Sequence, residues 1–383
     1  MDRQRQWEEE FLEKIYQKFY WITDEVKTLY PYCVENGKYD NVTMPPYSWT
    51  CGFWGGIQWW LYIYSGESKF LENAKRASER MDEGLVSFTP LHHDVGFQYL
   101  LTTVADYQQT GSERARISSI HAASLLAGRF NLAGKYIRAW NDNPNIDQSE
   151  NKSGYAIIDC MMNIPLLFWA SQETEDPRYF HIAEAHADTV VREFIREDGS
   201  SNHIVVFDPV DGHVVGKPKG QGYAEGSAWT RGQSWAIYGF AMAYAYTKKQ
   251  TYLQTALRVA DYFLEHLPEN GIPPVDFEQP QQPEYVDISA GVIALCGLIE
   301  LKAWVDESHK DWLEKGIRKL LKGVYDSCDF GLDTQAIMLN GMEMYHGSGK
   351  QTSLIYAEFY LLEALMKRRG NGFLFTNKEK HCI

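Results

Sequence analysis

The sequence of 383 residues predicts an all-α fold, an (α/α)6 toroid of six helical hairpins, and three observations lead to it. Apolar side chains recur at helical spacing almost throughout, as at Trp7, Phe11 and Ile15. Amphipathic helices alternate with segments that are apolar on nearly every face, such as 156–170, and such segments belong inside a layered structure. Short connections alternate with long ones, which is typical of a repeated helical pair.

The periodicity predicts twelve helices, in the order 4–30, 52–65, 68–83, 94–110, 113–130, 156–172, 177–195, 231–247, 250–266, 287–305, 309–327 and 353–368. The long connections are 31–51, 84–93, 131–155, 196–230, 267–286 and 328–352. In a series of antiparallel helices every second connection lies at the same end, so the long loops should surround one mouth, where function usually resides. We expect one small β-hairpin among these loops, over 203–215, because Asp211-Gly212 is a turn signal.

The composition excludes several classes of protein. Lys and Arg number 37 against 51 Asp and Glu, and the net charge of −14 argues against a nucleic-acid partner. No segment reaches the roughly 20 apolar residues of a membrane helix, so no membrane association is expected. The first residues are too polar for a secretory leader and the six cysteines lack metal-type spacing. We therefore expect a cytoplasmic protein with reduced thiols and a single catalytic domain over 1–383.

Two polar residues, Asp159 and Asn163, interrupt the apolar segment 156–170. Their spacing of four places them on one face of the predicted helix. A carboxyl in apolar surroundings has a raised pKa and can act as a general acid near neutral pH, which makes Asp159 a candidate catalytic residue. The alternative is a structural carboxylate that accepts hydrogen bonds from a neighbouring loop.

Asp94 lies in the motif His92-His-Asp-Val-Gly-Phe97, where another long connection enters an inner helix. Its side chain could cap that helix, because Asp is favoured at the capping position. The other interpretation is catalytic, since two carboxylates that enter one rim from neighbouring helices form the pair used in glycoside chemistry. The adjacent histidines suggest a metal, but there is no HExxH motif and no third ligand run, so no metal site is predicted.

The segment 196–235 is the richest in polar and aromatic residues. Arg231 and Trp235 lie one turn apart on one face of a predicted inner helix. This combination suits an anionic sugar, because the guanidinium pairs with a carboxylate and the ring stacks on the sugar. Arg231 could instead pair with an acid in a loop. The glycines of this segment fit no phosphate-binding motif, so no nucleotide cofactor is predicted.

Four motifs resemble those of the unsaturated glucuronyl hydrolases, glycoside hydrolase family eighty-eight, in order and over most of the chain from about residue 45. They are Ser48-Trp-Thr-Cys-Gly-Phe-Trp54, His92-His-Asp-Val-Gly-Phe97, Ile157-Ile-Asp-Cys-Met-Met-Asn163 and Trp229-Thr-Arg-Gly-Gln-Ser-Trp235. The family fold is the six-hairpin toroid, which the helix pattern predicts independently.

The resemblance implies a hydration reaction on glycosaminoglycan disaccharides or oligosaccharides of the chondroitin, hyaluronan and heparin types. A polysaccharide lyase acting upstream leaves a C4=C5 double bond in the terminal uronic acid. Asp159 matches the family residue that protonates C4 and assists the attack of water on C5, and Asp94 matches the second catalytic aspartate. The hemiketal formed at C5 opens and releases the neighbouring sugar. Neither a metal nor an organic cofactor is required.

The resemblance also implies a set of substrate-binding residues. Trp49 and Trp235 would stack on the sugars, while Lys217 and Lys219 would face the second sugar. The residues expected at the unsaturated uronate or its carboxylate are His93, His203, Gln221 and Arg231.

Near the C-terminus, Ser348 and Lys350 resemble a Ser-x-Lys of streptococcal-type members that contacts sulfate on the amino sugar. Tyr345 stands where a further serine is expected, and a solvated glycine-rich turn is the alternative interpretation of this segment.

Three other functions remain open. An unsaturated rhamnogalacturonyl hydrolase acting on pectin fragments would have the same fold and chemistry. A sugar isomerase similar to the N-acylglucosamine 2-epimerases would need catalytic histidines at the mouth, for which His93 and His203 are the candidates. A non-catalytic glycan-binding protein would keep the tryptophans but would have no use for a carboxylate at Asp159.

Overall fold

A computed structural model describes residues 3–26, 30–40, 45–142, 151–347 and 351–376. Over these residues the chain forms the twelve helices that the periodicity predicts, here labelled α1 to α12. They are α1 (Arg3–Val26), α2 (Cys51–Ser65), α3 (Ser68–Ser87), α4 (Val95–Tyr99, continued by π-helical Leu100–Val104 and by Ala105–Thr110), α5 (Glu113–Gly128), α6 (Pro165–Thr174), α7 (Pro177–Glu193), α8 (Thr230–Thr247), α9 (Gln250–His266), α10 (Ile288–Lys302), α11 (Glu307–Asp326) and α12 (Ile355–Arg368).

The helices form two concentric rings. Even-numbered helices are buried on nearly all sides; in α8, for example, every residue from 230 to 244 is buried. Odd-numbered helices bury one stripe only, as α11 does with Leu313, Ile317 and Leu320. Successive even-numbered helices contact one another, and α12 returns to contact α2, which closes the inner ring. The predicted toroid of six hairpins is confirmed.

The two ends of the chain complete the sixth hairpin. The first helix, α1, packs against the last, α12, and Arg368 Nη2 lies 2.7 Å from Glu8 Oε1. Lys18, which is buried in α1, donates a hydrogen bond of 2.6 Å to the backbone carbonyl of Asp329. Contacts between residues that are very distant in sequence therefore close the ring.

One predicted helix begins later than expected. Instead of a helix over 156–172, the chain forms a strand at Tyr155–Ile157 and a 3-10 turn at Ile158–Met162, and α6 begins only at Pro165. Proline has no N–H and fits the first turn of a helix but not its interior, so it sets the start of α6. The spacing predicted that Asp159 and Asn163 share one face of an α-helix, and this prediction is wrong. Asp159 lies within the 3-10 turn, and Asn163 directly follows it.

The predicted hairpin over 203–215 is present as the antiparallel pair Ile204–Phe207 and Val214–Gly216. The strand Tyr155–Ile157 pairs with it on the other side, which gives a sheet of three strands instead of two. Two further small hairpins, Val34–Glu35 with Lys38–Tyr39 and Phe130–Asn131 with Tyr136–Ile137, lie in other long connections. The strands were missed because they are too short to show a period of two.

Two observations concern the environment of the chain. Among the described residues, no helix combines the length and the apolar character that crossing a bilayer requires. Cys51, Cys160, Cys296 and Cys328 are free thiols, as the sequence predicts.

A close contact between α4 and the turn before α6 fixes how the long loops meet at the mouth. A Cβ atom on Gly96 would lie 2.3 Å from the Cα of Asn163 and 2.6 Å from its carbonyl oxygen. Real Cβ atoms do not approach backbone this closely, so only glycine allows the two segments to touch here.

We expect Gly96→Ala to lower the free energy of unfolding by roughly 1–3 kcal/mol, the usual cost of overpacking a buried site. Urea denaturation followed by circular dichroism measures this quantity. Gly128→Ala is the matched control, because it also lies in a helix of the toroid but a Cβ there meets nothing within 4 Å. Equal stability of the two variants would contradict the proposed contact.

Candidate active site

Asp94 and Asp159 come together at the mouth, on two different connections, and a single side chain bridges them. Asn163 Nδ2 lies 3.2 Å from Asp94 Oδ1 and 3.3 Å from the backbone carbonyl oxygen of Asp159. Asp94 stands at the N-terminus of α4, and Asp159 lies in the 3-10 turn Ile158–Met162. The sequence-based expectation that the two carboxylates share one rim is consistent with this geometry.

Asp94 is nearly buried, with 8% of its surface exposed. His92 Nδ1 lies 3.4 Å from its Oδ2 and His93 Nε2 lies 3.3 Å from its Oδ1. Burial, together with the negative charge of Asp159, raises the pKa of Asp94 to about 8. Burial also lowers the pKa of His92 to about 4 and that of His93 well below its usual range, so both rings stay neutral near pH 7. Asp94 is therefore a carboxylic acid that keeps its proton at neutral pH.

Asp159 has a carboxyl group with one buried oxygen and one edge at the mouth. Its Oδ2 is buried and, among the described residues, has no hydrogen-bond partner of good geometry. The nearest donor is His203 Nε2, at 3.4 Å. The side chain is 16% exposed, so one edge of the carboxyl faces the mouth. That exposed edge can give or take a proton at a bound molecule.

His203 is oriented by a backbone group. Its Nδ1 accepts a hydrogen bond of 3.0 Å from the N–H of Gln221, so the ring proton lies on Nε2 and points to Asp159. The ring also packs on Trp229, with centroids 4.4 Å apart. Gly220, whose φ is +61°, makes this approach possible, because a Cβ there would lie 2.0 Å from His203 Nδ1.

Aromatic rings form a wall next to the carboxylates. The half-buried Trp49 lies with its ring centroid 4.9 Å from that of Tyr356 and 5.8 Å from that of Phe97. Phe97 in turn contacts Trp235 at 5.2 Å. Trp235 is 1% exposed, so it supports the wall from behind, whereas Trp49 keeps part of its face open.

Arg231 pairs with a loop acid, which is the alternative raised from its sequence context. It is 3% exposed and forms a short hydrogen bond with Asp287, the residue that caps α10. Its other N–H groups donate to the carbonyl oxygen of Met342, at 2.7 Å, and to that of Glu343. The guanidinium carbon also lies 4.7 Å from the ring centroid of Trp229. Arg231 thus ties α8, α10 and the loop after α11 together beneath the mouth.

The remaining predicted binding residues are spread along the rim. Lys217 Nζ donates a hydrogen bond of 2.6 Å to the carbonyl oxygen of Glu193, at the end of α7, whereas Lys219 is exposed. Gln221 is half-buried, and its carbonyl oxygen accepts from the N–H of Tyr345 at 3.0 Å.

His93 lies behind Asp94 and is fully buried. The predicted residues Ser348 and Lys350 lie outside the described part of the chain.

The geometry also brings together three possible metal ligands, which the sequence analysis had set aside. Ligand atoms of His92, His93 and Asp94 lie within 4.8 Å of one another. A divalent cation would hold Asp94 in its ionised form, whereas burial favours its protonated form. The prediction that no metal is needed therefore stays open to a direct test.

Two residues of the site were not singled out from the sequence. Trp229 lies between His203 and Arg231, and Tyr356 lies between Trp49 and Arg231, with the guanidinium carbon 5.5 Å from its ring centroid. Trp229 opens one of the four motifs, which was the available signal. Tyr356 stands in the last inner helix, where periodicity explains an aromatic residue without reference to function.

A carboxylic pair beside an aromatic wall, at the mouth of an (α/α)6 toroid, defines a carbohydrate-active hydrolase. Residues 21–361 match the model of Glycosyl Hydrolase Family 88, and the chain belongs to that family. It is 38% identical over 341 residues to the unsaturated glucuronyl hydrolase of Bacillus sp. (strain GL1), a match that covers 87% of this chain and 89% of the relative.

Solved structures agree with this assignment. The crystal structure of unsaturated glucuronyl hydrolase from Bacillus sp. GL1 aligns with a TM-score of 0.89 and 33% identity, over 98% of this chain and all of the other. An aspartate-to-asparagine variant of the Streptococcus agalactiae enzyme, complexed with dGlcA-GalNAc6S, aligns with a TM-score of 0.83 and 27% identity, over 97% of this chain and 93% of that one.

We expect Gly220→Ala to remove most of the activity while the protein stays folded, because the added methyl group must displace the His203 ring. Gly226→Ala is the matched control: its φ of +80° imposes the same backbone strain in the same loop, but a Cβ there meets nothing within 4 Å. Steady-state kinetics of both variants, with circular dichroism to verify folding, measure the difference. Equal losses of activity would mean that loop strain, and not the position of His203, is responsible.

Proposed function

We propose that this protein is an unsaturated glucuronyl hydrolase that removes the 4,5-unsaturated uronic acid from the non-reducing end of lyase-generated glycosaminoglycan oligosaccharides. The observation that carries the proposal is the juxtaposition at the mouth of the buried Asp94 and the partly exposed Asp159, which Asn163 bridges. The names of the relatives support the substrate class, since they include unsaturated glucuronyl and unsaturated chondroitin disaccharide hydrolases.

In the proposed reaction, a proton from Asp159 adds to C4 of the double bond and a water oxygen adds to C5. The ionised Asp159 then takes the proton of the attacking water, so the carboxyl is regenerated. The hemiketal opens to a ketone at C5 as the bond to the ring oxygen breaks, which leaves a hemiacetal at C1. Collapse of this hemiacetal to an aldehyde breaks the bond to the neighbouring sugar, which leaves with a hydroxyl group. His203 Nε2–H, directed at Asp159 Oδ2, would hold the carboxyl in position during both proton transfers.

Asp94 would contribute by remaining neutral. The substrate carries a carboxylate. An ionised Asp94 would repel that carboxylate in a site with little water. A protonated Asp94 instead offers an O–H donor to the sugar. In other enzymes too, two neighbouring carboxyl groups take different protonation states because their surroundings differ.

The binding roles follow the geometry of the rim. We propose that Trp49 stacks on the sugar and that Trp235 supports the stacking wall. Gln221 would contact the uronate, and Arg231 would supply positive charge to its carboxylate from beneath the rings of Trp229 and Tyr356. We propose that His93 contributes indirectly, by packing against Asp94 on the side that faces away from the mouth.

The second sugar would lie toward the rim loops. We propose that Lys217 and Lys219 face it, and that Ser348 and Lys350 contact a sulfate where one is present. With a net charge of −14, attraction of an anionic sugar must come from such local cations, since charges more than about 8 Å away are largely screened at physiological salt.

The context of the reaction is part of the proposal. A lyase must act first, because only an elimination reaction supplies the double bond. The free thiols support a reducing compartment such as the cytoplasm, and we propose one catalytic domain over 1–383.

The test follows the ultraviolet absorbance of the conjugated enol ether in unsaturated chondroitin and hyaluronan disaccharides. Wild-type protein should abolish this absorbance. Asp159→Asn should lower kcat by a factor on the order of 10²–10⁴, the usual contribution of a general acid. Asp211→Asn, the same change at an exposed position of the rim hairpin, should leave kcat unchanged.

Two results would contradict this proposal. Unchanged absorbance with every glycosaminoglycan disaccharide would exclude the glucuronyl substrate and direct the assay to pectin-derived fragments. Activity that disappears in a chelating buffer and returns with a divalent cation would show that the predicted independence of metals is wrong.

The protonation of Asp94 predicts an alkaline limb of activity. We expect kcat/KM to fall as the pH rises through about 8, where Asp94 loses its proton and the site gains a negative charge. A pH profile of kcat/KM, which reports groups of the free enzyme, measures the limb.

A stability measurement tests the raised pKa of Asp94 independently of enzymatic activity. The folded-state pKa of Asp94 is raised above its ordinary value of 3.8, so ionisation of Asp94 destabilises the fold progressively as the pH rises from about 4 to about 8. The stability advantage of Asp94→Asn over wild type should grow across that window and level off above it. An advantage that does not depend on pH would contradict the raised pKa.

A further inference from the structure

We propose that Asn163 is a positioning residue of this site, because its side-chain amide caps α4 in place of Asp94 and so leaves the Asp94 carboxyl free for the reaction. The inference rests on the proposed function for its effect on activity. Its geometric basis is independent of the substrate.

The capping arrangement of α4 is unusual. Asp94 occupies the capping position, yet its side chain makes no hydrogen bond to the N–H groups of the helix. In an ordinary cap the side chain accepts from the second or third N–H of the first turn. Here the third N–H, that of Phe97, donates instead to Asn163 Oδ1 at 2.8 Å. A residue from another segment therefore performs the task that the capping aspartate normally performs.

The bond to Phe97 also determines which way the amide of Asn163 faces. Because Oδ1 must accept from the backbone, Nδ2 faces the other way, and its two hydrogens reach Asp94 Oδ1 and the carbonyl oxygen of Asp159. The side chain is fully buried, and rotating the amide by half a turn would break all three bonds. Asn163 thus joins the helix cap, Asp94 and the backbone of Asp159 in one rigid arrangement.

This arrangement selects one oxygen of Asp94 for the proton. Oδ1 faces the N–H of Asn163 and must act as an acceptor, so the proton lies on Oδ2, on the side of His92 Nδ1. The other titratable or charged groups that face Asp94 are His93, Asp159 and Arg129. Both histidines are neutral in the assay range.

Removing the amide should have two effects. The N–H of Phe97 would lose its acceptor, and the Asp94 carboxyl would lose the N–H that fixes its orientation toward the reacting sugar. The N–H that stabilises the ionised form of Asp94 would also be lost, so the carboxyl would hold its proton to higher pH.

The experiment compares Asn163→Leu, Asn163→Asp and the control Thr103→Val. Leucine removes both the acceptor and the donor at nearly constant volume. Aspartate keeps an acceptor for Phe97 but loses the donor to Asp94 unless it is protonated. Thr103 is as buried as Asn163 and lies in α4, the helix that Asn163 caps. Its Oγ1 lies 2.7 Å from Ser119 Oγ, so the change to valine removes a buried polar contact away from the carboxylates.

For Asn163→Leu we expect kcat to fall about tenfold to a hundredfold with KM nearly unchanged, and the alkaline limb to move to higher pH. Asn163→Asp should recover activity toward acid pH, where the introduced carboxyl is protonated and can donate as the amide did. Thr103→Val should keep the wild-type kcat and limb. Thermal unfolding followed by circular dichroism verifies that each variant is folded.

A reduced kcat with an unshifted limb in Asn163→Leu, or no recovery at acid pH in Asn163→Asp, would overturn the proposal and leave Asn163 a structural residue. If wild type proves inactive on every unsaturated disaccharide, the proposed function fails separately. The inference is then decided by the pH dependence of stability: in Asn163→Leu the destabilisation caused by Asp94 ionisation should extend to higher pH than in wild type. An unchanged dependence would overturn it.

Discussion

The close approach of α4 to the turn before α6 is the constraint on which the active site depends. It is possible only because position 96 carries no Cβ, and it brings Asn163 within reach of the first turn of α4. Asp94 and Asp159 arrive on separate connections, and this contact places them side by side. The electrostatics follow from the packing, since burial and the neighbouring carboxylate together raise the pKa of Asp94.

A second constraint supports the same mouth from below. Arg231 and Asp287 form a buried ion pair, and Asp287 also accepts from the N–H groups of Ser289 and Met342. Burying two charges is costly unless every donor and acceptor is satisfied, and here the pair links two inner helices to the last long loop. The rings of Trp229 and Tyr356 lie over this pair. One member of the aromatic wall, Tyr356, therefore rests on a polar network.

Much of this architecture could be predicted from the sequence, because helical periodicity and the lengths of the connections are local properties. They indicated the two rings, the single mouth and the entry of Asp94 and Asp159 into it. The prediction was wrong at 156–164, where pairing with Ile204–Phe207 and the start of α6 at Pro165 override an apolar helical pattern. The capping role of Asn163 could not be predicted, since it depends on a contact between residues 66 positions apart in sequence.

The closure of the outer ring by α1 has a consequence for how the chain acquires its shape. Its partners Asp329 and Arg368 lie 311 and 360 residues away in sequence from the α1 residues that they bind. Bringing such distant segments together carries a high cost in loop-closure entropy. The other hairpins join helices that are neighbours in sequence and avoid this cost. We therefore expect the hairpin of α1 and α12 to form late in folding, after the hairpins whose two helices follow one another.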